Sequence, residues 1–335
     1  HLYDLEEITA DGLLRAQSRL AAYRRPGERL RLLRDVARLD HTQIDDFRWA
    51  CEPDSSGPEF FLYDLSWRNF CCGELNLPAL AAETGVTVTR LADLREAMAR
   101  LFAKHAPAAI AVKTQHAYQR TLRWHERDDA DAARALARLL ARPDEADEES
   151  RLCLGDWALA RGVEWAIEYQ LPIKIHTGYY AGHGRMPVDR IAAGNLWALL
   201  ARYPQARFVL MHIAYPYSDE LVALAKHYRN VWVDLCWAWS IDPHSTRNFV
   251  RQFLHAAPVN KLFGFGGDTR WPTSAAAYAI QARRWLTRAL EEEVVAGDLT
   301  EKQAMRVADR WLRENQYECF DLAGRRATLR ARLAA

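Results

Sequence analysis

Short apolar runs of strand type recur along this chain, each followed by a longer stretch of helical periodicity, and that alternation leaves few folds open to it. The strand-type runs are HTQIDDF (41–47), EFFLYDL (59–65), AAIAVKT (108–114), LPIKIHT (171–177), RFVLMHI (207–213), VWVDLCW (231–237) and KLFGFGGD (261–268). Each is rich in β-branched or aromatic residues and is separated from the next by helical sequence. The near-continuous apolarity of AIAV, FVLM and VWVDL suits strands buried on both faces of a parallel sheet. Between the runs, residues 147–170 carry Leu154, Trp157, Ala158 and Val163 at roughly helical spacing, and residues 195–204 and 218–230 each present an apolar stripe. Parallel strands alternating with helices predict an α/β protein built of βα units. Residues 275–295 and 299–320 continue as helix, the latter opening on Thr300 and Gln303, the spacing of a capping box.

Seven strands could form an open sheet, but no Gly-rich phosphate-binding turn of the GxGxxG or GxxxxGK[ST] kind follows any of them. A (β/α)8 TIM barrel needs eight. The chain begins with His rather than Met, so the first strand is expected upstream of residue 1 and the seven runs become strands two to eight. One domain over 1–335 is expected: a helical lead-in at 1–40, the strands and their helices at 41–272, and C-terminal helices at 273–335.

Charge and composition exclude several functions. Lys and Arg number 45 against 44 Asp and Glu, so no net field attracts nucleic acid or an anionic membrane. The basic stretch at 24–35 mixes both signs at helical spacing and reads as a solvated helix face. No apolar run approaches the ~18–20 residues that cross a bilayer. The six cysteines show no CxxC pair and no regular spacing, which predicts buried thiols in a reducing, cytoplasmic setting. Apolar positions on the C-terminal helices leave room for a homo-oligomer.

Polar residues collect where the strand runs end. Lys113, His176, His212 and Asp268 each close a different run, and in a barrel the C-terminal strand ends form the functional rim. Two imidazoles and a carboxylate are ligands for a borderline divalent ion such as zinc, and they are also groups that activate water. Tyr179, Trp237 and Trp239 follow strand ends and suit a pocket wall, and Arg270 could meet an anionic substrate. His116, His125, His183 and His227 read as ordinary core or surface histidines. Asp45 and Asp46 end the 41–47 run, with a helix N-cap as the plain role for at least one.

KIHTG (174–178), LMHIAYP (210–216) with VDLCWAW after it, and FGGDT (265–269) resemble the fifth, sixth and eighth strand signatures of the amidohydrolase superfamily, nearest its amidohydrolase-2 (amidohydrolase-related) branch. The resemblance runs from about 40 to 322, where ENQYECFDL is similar to the family's closing helix. It implies His176 as a metal ligand and Asp268 as the acid that binds or deprotonates the metal's water. His212 would polarise the substrate carbonyl or bind a second metal. Lys113 would bridge two metals or meet a substrate oxygen, and Arg120 would clamp a carboxylate. The family's HxH pair on its first strand is absent from these 335 residues and is expected with that strand.

The implied activity is a metal-dependent hydrolase acting on an amide or ester-like carbonyl of a small molecule, with one or two divalent ions, zinc foremost, manganese or iron otherwise. A decarboxylase or uronate-isomerase-like enzyme on the same site is the alternative, and a degenerate, metal-free barrel that only binds is the third reading.

Overall fold

The computed structural model describes residues 2–141, 147–182 and 184–334, so His183 lies outside the described residues. The seven expected strand lanes are present and all pair in parallel. They comprise β1 (Thr42–Ile44), β2 (Phe61–Tyr63), β3 (Leu65–Ser66), β4 (Val112–Thr114), β5 (Ile173–Ile175), β6 (Phe208–Met211), β7 (Val231–Cys236) and β8 (Leu262–Gly266). The second lane is broken at Asp64: β2 pairs with β1, and β3 opens a six-stranded sheet ordered β3-β4-β5-β6-β7-β8. Backbone bonds still bridge the break, with Asp64 N–H donating to Ile44 and Leu65 N–H to Ala111, each at 2.8 Å.

The sheet is strongly curled. Lys174 on β5 reaches Asp64 at 2.5 Å and Gln43 on β1 at 3.1 Å. In a flat sheet β1 and β5 would lie three strand spacings apart, about 14 Å. Only a sheet rolled toward a barrel lets these side chains meet inside it.

The helices form where the periodicity placed them. Glu148–Glu168 starts from Asp147, which caps Ser150 N–H at 2.7 Å, and buries Leu154, Trp157, Ala158 and Val163. Ser218–His227 and Pro243–Ala256 connect β6 to β7 and β7 to β8. The capping box at Thr300 and Gln303 is made in both directions, at 3.3 and 2.8 Å. The expected 299–320 helix continues through one wide turn at Arg310–Glu314 to Phe320.

The two ends of the chain are fastened together. Helix Pro272–Ala296 packs Ala276 and Ala279 against Ala37, and Arg283 donates to the Ala37 carbonyl at 2.7 Å. Tyr317 and Arg326 both reach Asp40, at 2.8 and 3.0 Å. Among the described residues no hydrogen-bonded pairing joins β8 to β1. All six cysteines are buried and free of disulfides.

Candidate functional site

Where β6, β7 and β8 end, the backbone leaves the extended region abruptly. His212, Ile213 and Ala214 have φ of +63°, +50° and +49°, Trp237 has +66° and Asp268 has +42°. Each non-glycine residue held there costs on the order of 1–3 kcal/mol, a strain that clusters at functional sites. After β5, Gly178 at φ +72° lies so close to the 214–215 backbone that a Cβ would stand 2.5 Å from the Ala214 carbonyl carbon. Glycine at 178 therefore lets the turn carrying His176 nest against the turn carrying His212.

The two imidazoles consequently meet, with ring centroids 4.5 Å apart. His212 Nδ1 lies 2.6 Å from the Cys236 carbonyl. A carbonyl only accepts, so Nδ1 carries the proton and Nε2 keeps its lone pair. That Nε2 stands 3.8 Å from Asp268 Oδ2. His176 Nε2 donates to the Tyr179 carbonyl at 3.0 Å, which leaves Nδ1 as its lone-pair nitrogen. Burial holds the His176 pKa well below the ordinary range, helped by His212 and Lys113; burial also lowers His212, opposed by Asp268. Both rings are thus kept neutral, the state that binds a metal or takes a proton.

Beneath the rim the interior is densely charged. Lys113 is buried with its Nζ 2.6 Å from the thioether of Met211. Lys174 is paired with Asp64, whose carboxyl is pushed up to about 6 by burial against the pull of Lys174. Asp234 on β7 is likewise pushed up to about 6 by burial. Asp45 holds Gln115 and is raised by burial, with Lys113 as the main counterweight. When ionised, Asp45, Asp64, Asp234 and Asp268 outnumber Lys113 and Lys174 by two charges.

Aromatic rings wall the mouth. Tyr179 lies 5.8 Å from Trp237, and Trp237 stands edge-on to His212 at 5.6 Å. Tyr118 stacks on Tyr180 at 4.5 Å and tilts against His176 at 4.7 Å.

The structure gathers His176, His212, Asp268, Lys113, Tyr179 and Trp237, but commits two other candidates, Arg120 and Trp239, elsewhere. Arg120 is spent elsewhere: its guanidinium binds Asp156 at 2.5 Å, and the carbonyls of Arg123, Thr121, Cys71 and Leu152 take the rest. Those five acceptors match its five N–H donors, so the expected substrate clamp is instead a structural tie. Trp239 is 1% exposed and donates its indole N–H to Gly264 at 2.9 Å, which makes it core rather than pocket wall. Arg270 is exposed, its guanidinium 6.0 Å from the Trp271 ring. Asp45 and Asp46 cap no helix; each accepts a backbone N–H two residues on, from Phe47 and Arg48.

Sequence reasoning missed Lys174, Asp64, Asp234 and Tyr118. Lys174 carried a signal, because it sits two residues before His176 on one strand and so shares its face. Asp234 inside VWVDLC carried the same kind of signal, a lone charge in an apolar strand.

Among the described residues, one group of three metal-type side chains has ligand atoms all within 4.8 Å of one another: His255 and Glu293 on the outer helices and Asp298 in the turn after the second of them. Glu293 there is already paired with Arg251 and His255, which makes this an ion-pair cluster. His176 meets His212 and His212 meets Asp268, without the three closing into such a cage.

A curled parallel sheet with imidazoles and a carboxylate at its C-terminal rim defines a barrel-type α/β enzyme scaffold. Its family is given by comparison with known proteins: residues 72–306 match the amidohydrolase family model, and the chain belongs to that family. Protein fluG of Emericella nidulans is 25% identical over 229 residues, covering 64% of this chain and 26% of fluG. A uronate isomerase of Cutibacterium acnes is 32% identical over 107 residues, 32% of this chain and 23% of that protein. The chain therefore spans about a quarter of the length of these two curated relatives. In fold it resembles uronate isomerase from Thermotoga maritima, with TM-score 0.79 and 13% identity over 95% of this chain and 76% of that one. Glucuronate isomerase from Caulobacter crescentus gives TM-score 0.70 and 18% identity over 93% and 69%. No helix among the described residues is long and apolar enough to cross a membrane.

Proposed function

We propose that the chain is a metal-dependent enzyme acting at the carbonyl carbon of a small molecule, with hydrolysis of an amide or ester-like bond as the leading reaction. The observation that carries the reading is His212 Nε2, unprotonated and 3.8 Å from the Asp268 carboxylate, beside the His176 ring. The donor set fits a divalent ion of the zinc type: neutral imidazole nitrogens, a carboxylate oxygen, and an interior whose two surplus negative charges such an ion would offset. His176 and Asp268 would hold it, with His212 as a further ligand if two ions bind; zinc is the first choice and manganese or iron the alternatives. A bound ion of this kind polarises a carbonyl and lowers the pKa of water toward ~7.

The chain's own groups supply the rest. Asp268, 43% exposed on its side chain, is placed to take a proton from an attacking water and pass it to a leaving group. His212 directs its free Nε2 at the same space, its ring fixed by the Cys236 carbonyl. Lys113, buried beside both histidines, offers an ammonium to a substrate oxygen. Tyr179 and Trp237 cover the mouth and exclude water from one side.

A second reading keeps the site and changes the reaction. The likeness to uronate isomerases supports proton transfer between neighbouring carbons of a hydroxy-carbonyl acid, with Asp268 as the base. Elemental analysis of the full-length protein should find one or two equivalents of divalent metal. Asp268→Asn should keep the fold and lose about 10²–10⁴-fold in turnover, the usual worth of a placed acid-base. Product of unchanged mass would select isomerisation and carbon dioxide release decarboxylation. Full activity of Asp268→Asn, or of metal-stripped protein, would refute both readings; a full-length protein that holds no metal and turns over no substrate would favour a barrel that only binds.

A further inference from the structure

The proposed chemistry needs His212 to work through Nε2, and that depends on one backbone carbonyl. Cys236 lies at the end of β7, where the ladder with β8 is irregular: Asp234 pairs with Phe263, yet Cys236 pairs with Gly266. The extra residue is on β8, between Phe263 and Gly266, and an insertion of this kind bends its strand and disrupts the ladder locally. Opposite it, the Cys236 carbonyl faces His212 Nδ1 at 2.6 Å. On its other side, the Cys236 N–H donates to Asp234 Oδ1 at 2.8 Å. This is a local side-chain-to-backbone bond of the kind that replaces ladder pairing in turns. Trp237, with φ +66°, then anchors its N–H on the Gly266 carbonyl at 2.8 Å. Gly266 must be glycine for this approach, since a Cβ there would stand 2.6 Å from the Cys236 sulfur.

We infer that Asp234 is a positioning residue: by accepting the Cys236 N–H it holds the end of β7, whose Cys236 carbonyl fixes His212 in the Nδ1–H tautomer, with Nε2 open to the site. It acts through the peptide of residue 236 and touches no substrate. The inference deepens the reading of His212 above, and the tautomer can be read whether or not that reading survives.

The test is two-bond ¹H–¹⁵N correlation on the full chain labelled with ¹⁵N-histidine, with His212 assigned by its loss in His212→Gln. The wild type should show the Nδ1–H form. Asp234→Asn, which keeps an accepting oxygen, should preserve it; Asp234→Ala should lower the Nδ1–H to Nε2–H ratio about fivefold, the worth of one hydrogen bond. Asp234→Leu, which fills the space without an acceptor, replaces the alanine variant if that one does not fold. A wild-type Nε2–H tautomer, or an unchanged ratio in the acceptor-less variant, would overturn the inference. A locked Nδ1–H tautomer in a protein without carbonyl chemistry would sink only the functional reading.

Discussion

Replacing Arg120 separates a structural tie from a substrate clamp, and the structure sets the size of the effect. Arg120 is 5% exposed and Asp156 1%, with the two charges 2.5 Å apart. At an effective dielectric constant of ~20 their gross attraction is about 7 kcal/mol, most of it offset by the desolvation of both ions. Arg120→Met removes one partner and strands the other, which costs about 3–5 kcal/mol for a buried pair. Arg127, 3.4 Å from the second Asp156 oxygen, moves the figure toward the lower end. The carbonyls of Cys71, Leu152, Thr121 and Arg123 lose their donor as well, and a stranded buried acceptor costs about 1–3 kcal/mol. Together these bring the loss to about 5 kcal/mol. For a chain of this length the unfolding entropy is about 0.7 kcal/mol/K, so the midpoint should fall by about 7 °C in a calorimetric scan. Metal content should be unchanged in the protein that remains folded. A variant with wild-type melting and a raised KM would refute this accounting and return Arg120 to the substrate.

Trp239→Ala should cost about 3–5 kcal/mol in denaturant melts because it empties a fully buried site, whereas Trp237→Ala should leave stability nearly unchanged and raise KM; equal losses of stability would contradict the division of the two rings between core and mouth. Gly178→Ala should lose about 2–4 kcal/mol through left-handed strain and backbone collision, and should disturb the His176 ring resonances before any others. Lys261 is pushed down from 10.5 to about 8 by burial, its ammonium held by the Ala225 and Tyr228 carbonyls. Its folded value lies below its unfolded one, so the unfolded chain binds more protons between those values and stability from this group rises with pH from about 8 to about 10.5, by at most about 3 kcal/mol. Lys261→Met should abolish that alkaline gain in melts run from about pH 7.5 to about 10.5, and a slope that persists would assign it to another group.

Much of this protein was determined by the order of residues alone. Strand lanes and helices arise from local apolar periodicity, a property of contiguous residues, and parallel pairing from apolarity on both strand faces. His176, His212 and Asp268 reach the rim because each ends a strand run, and parallel strands end on the same side. Only the tertiary structure decided which partners, far apart in the chain, would meet. Arg120 looked available until Asp156 and four carbonyls closed on it, and Trp239 looked like a pocket wall until its indole met Gly264. The partners of Lys174, Asp64 and Asp45 are not legible in sequence, because an ion network exists only once the sheet has curled and brought β1 across to β5. The His212 tautomer likewise depends on a backbone carbonyl 24 residues away. Periodicity records which face a side chain takes; which atom it meets on that face depends on the curvature of the whole sheet.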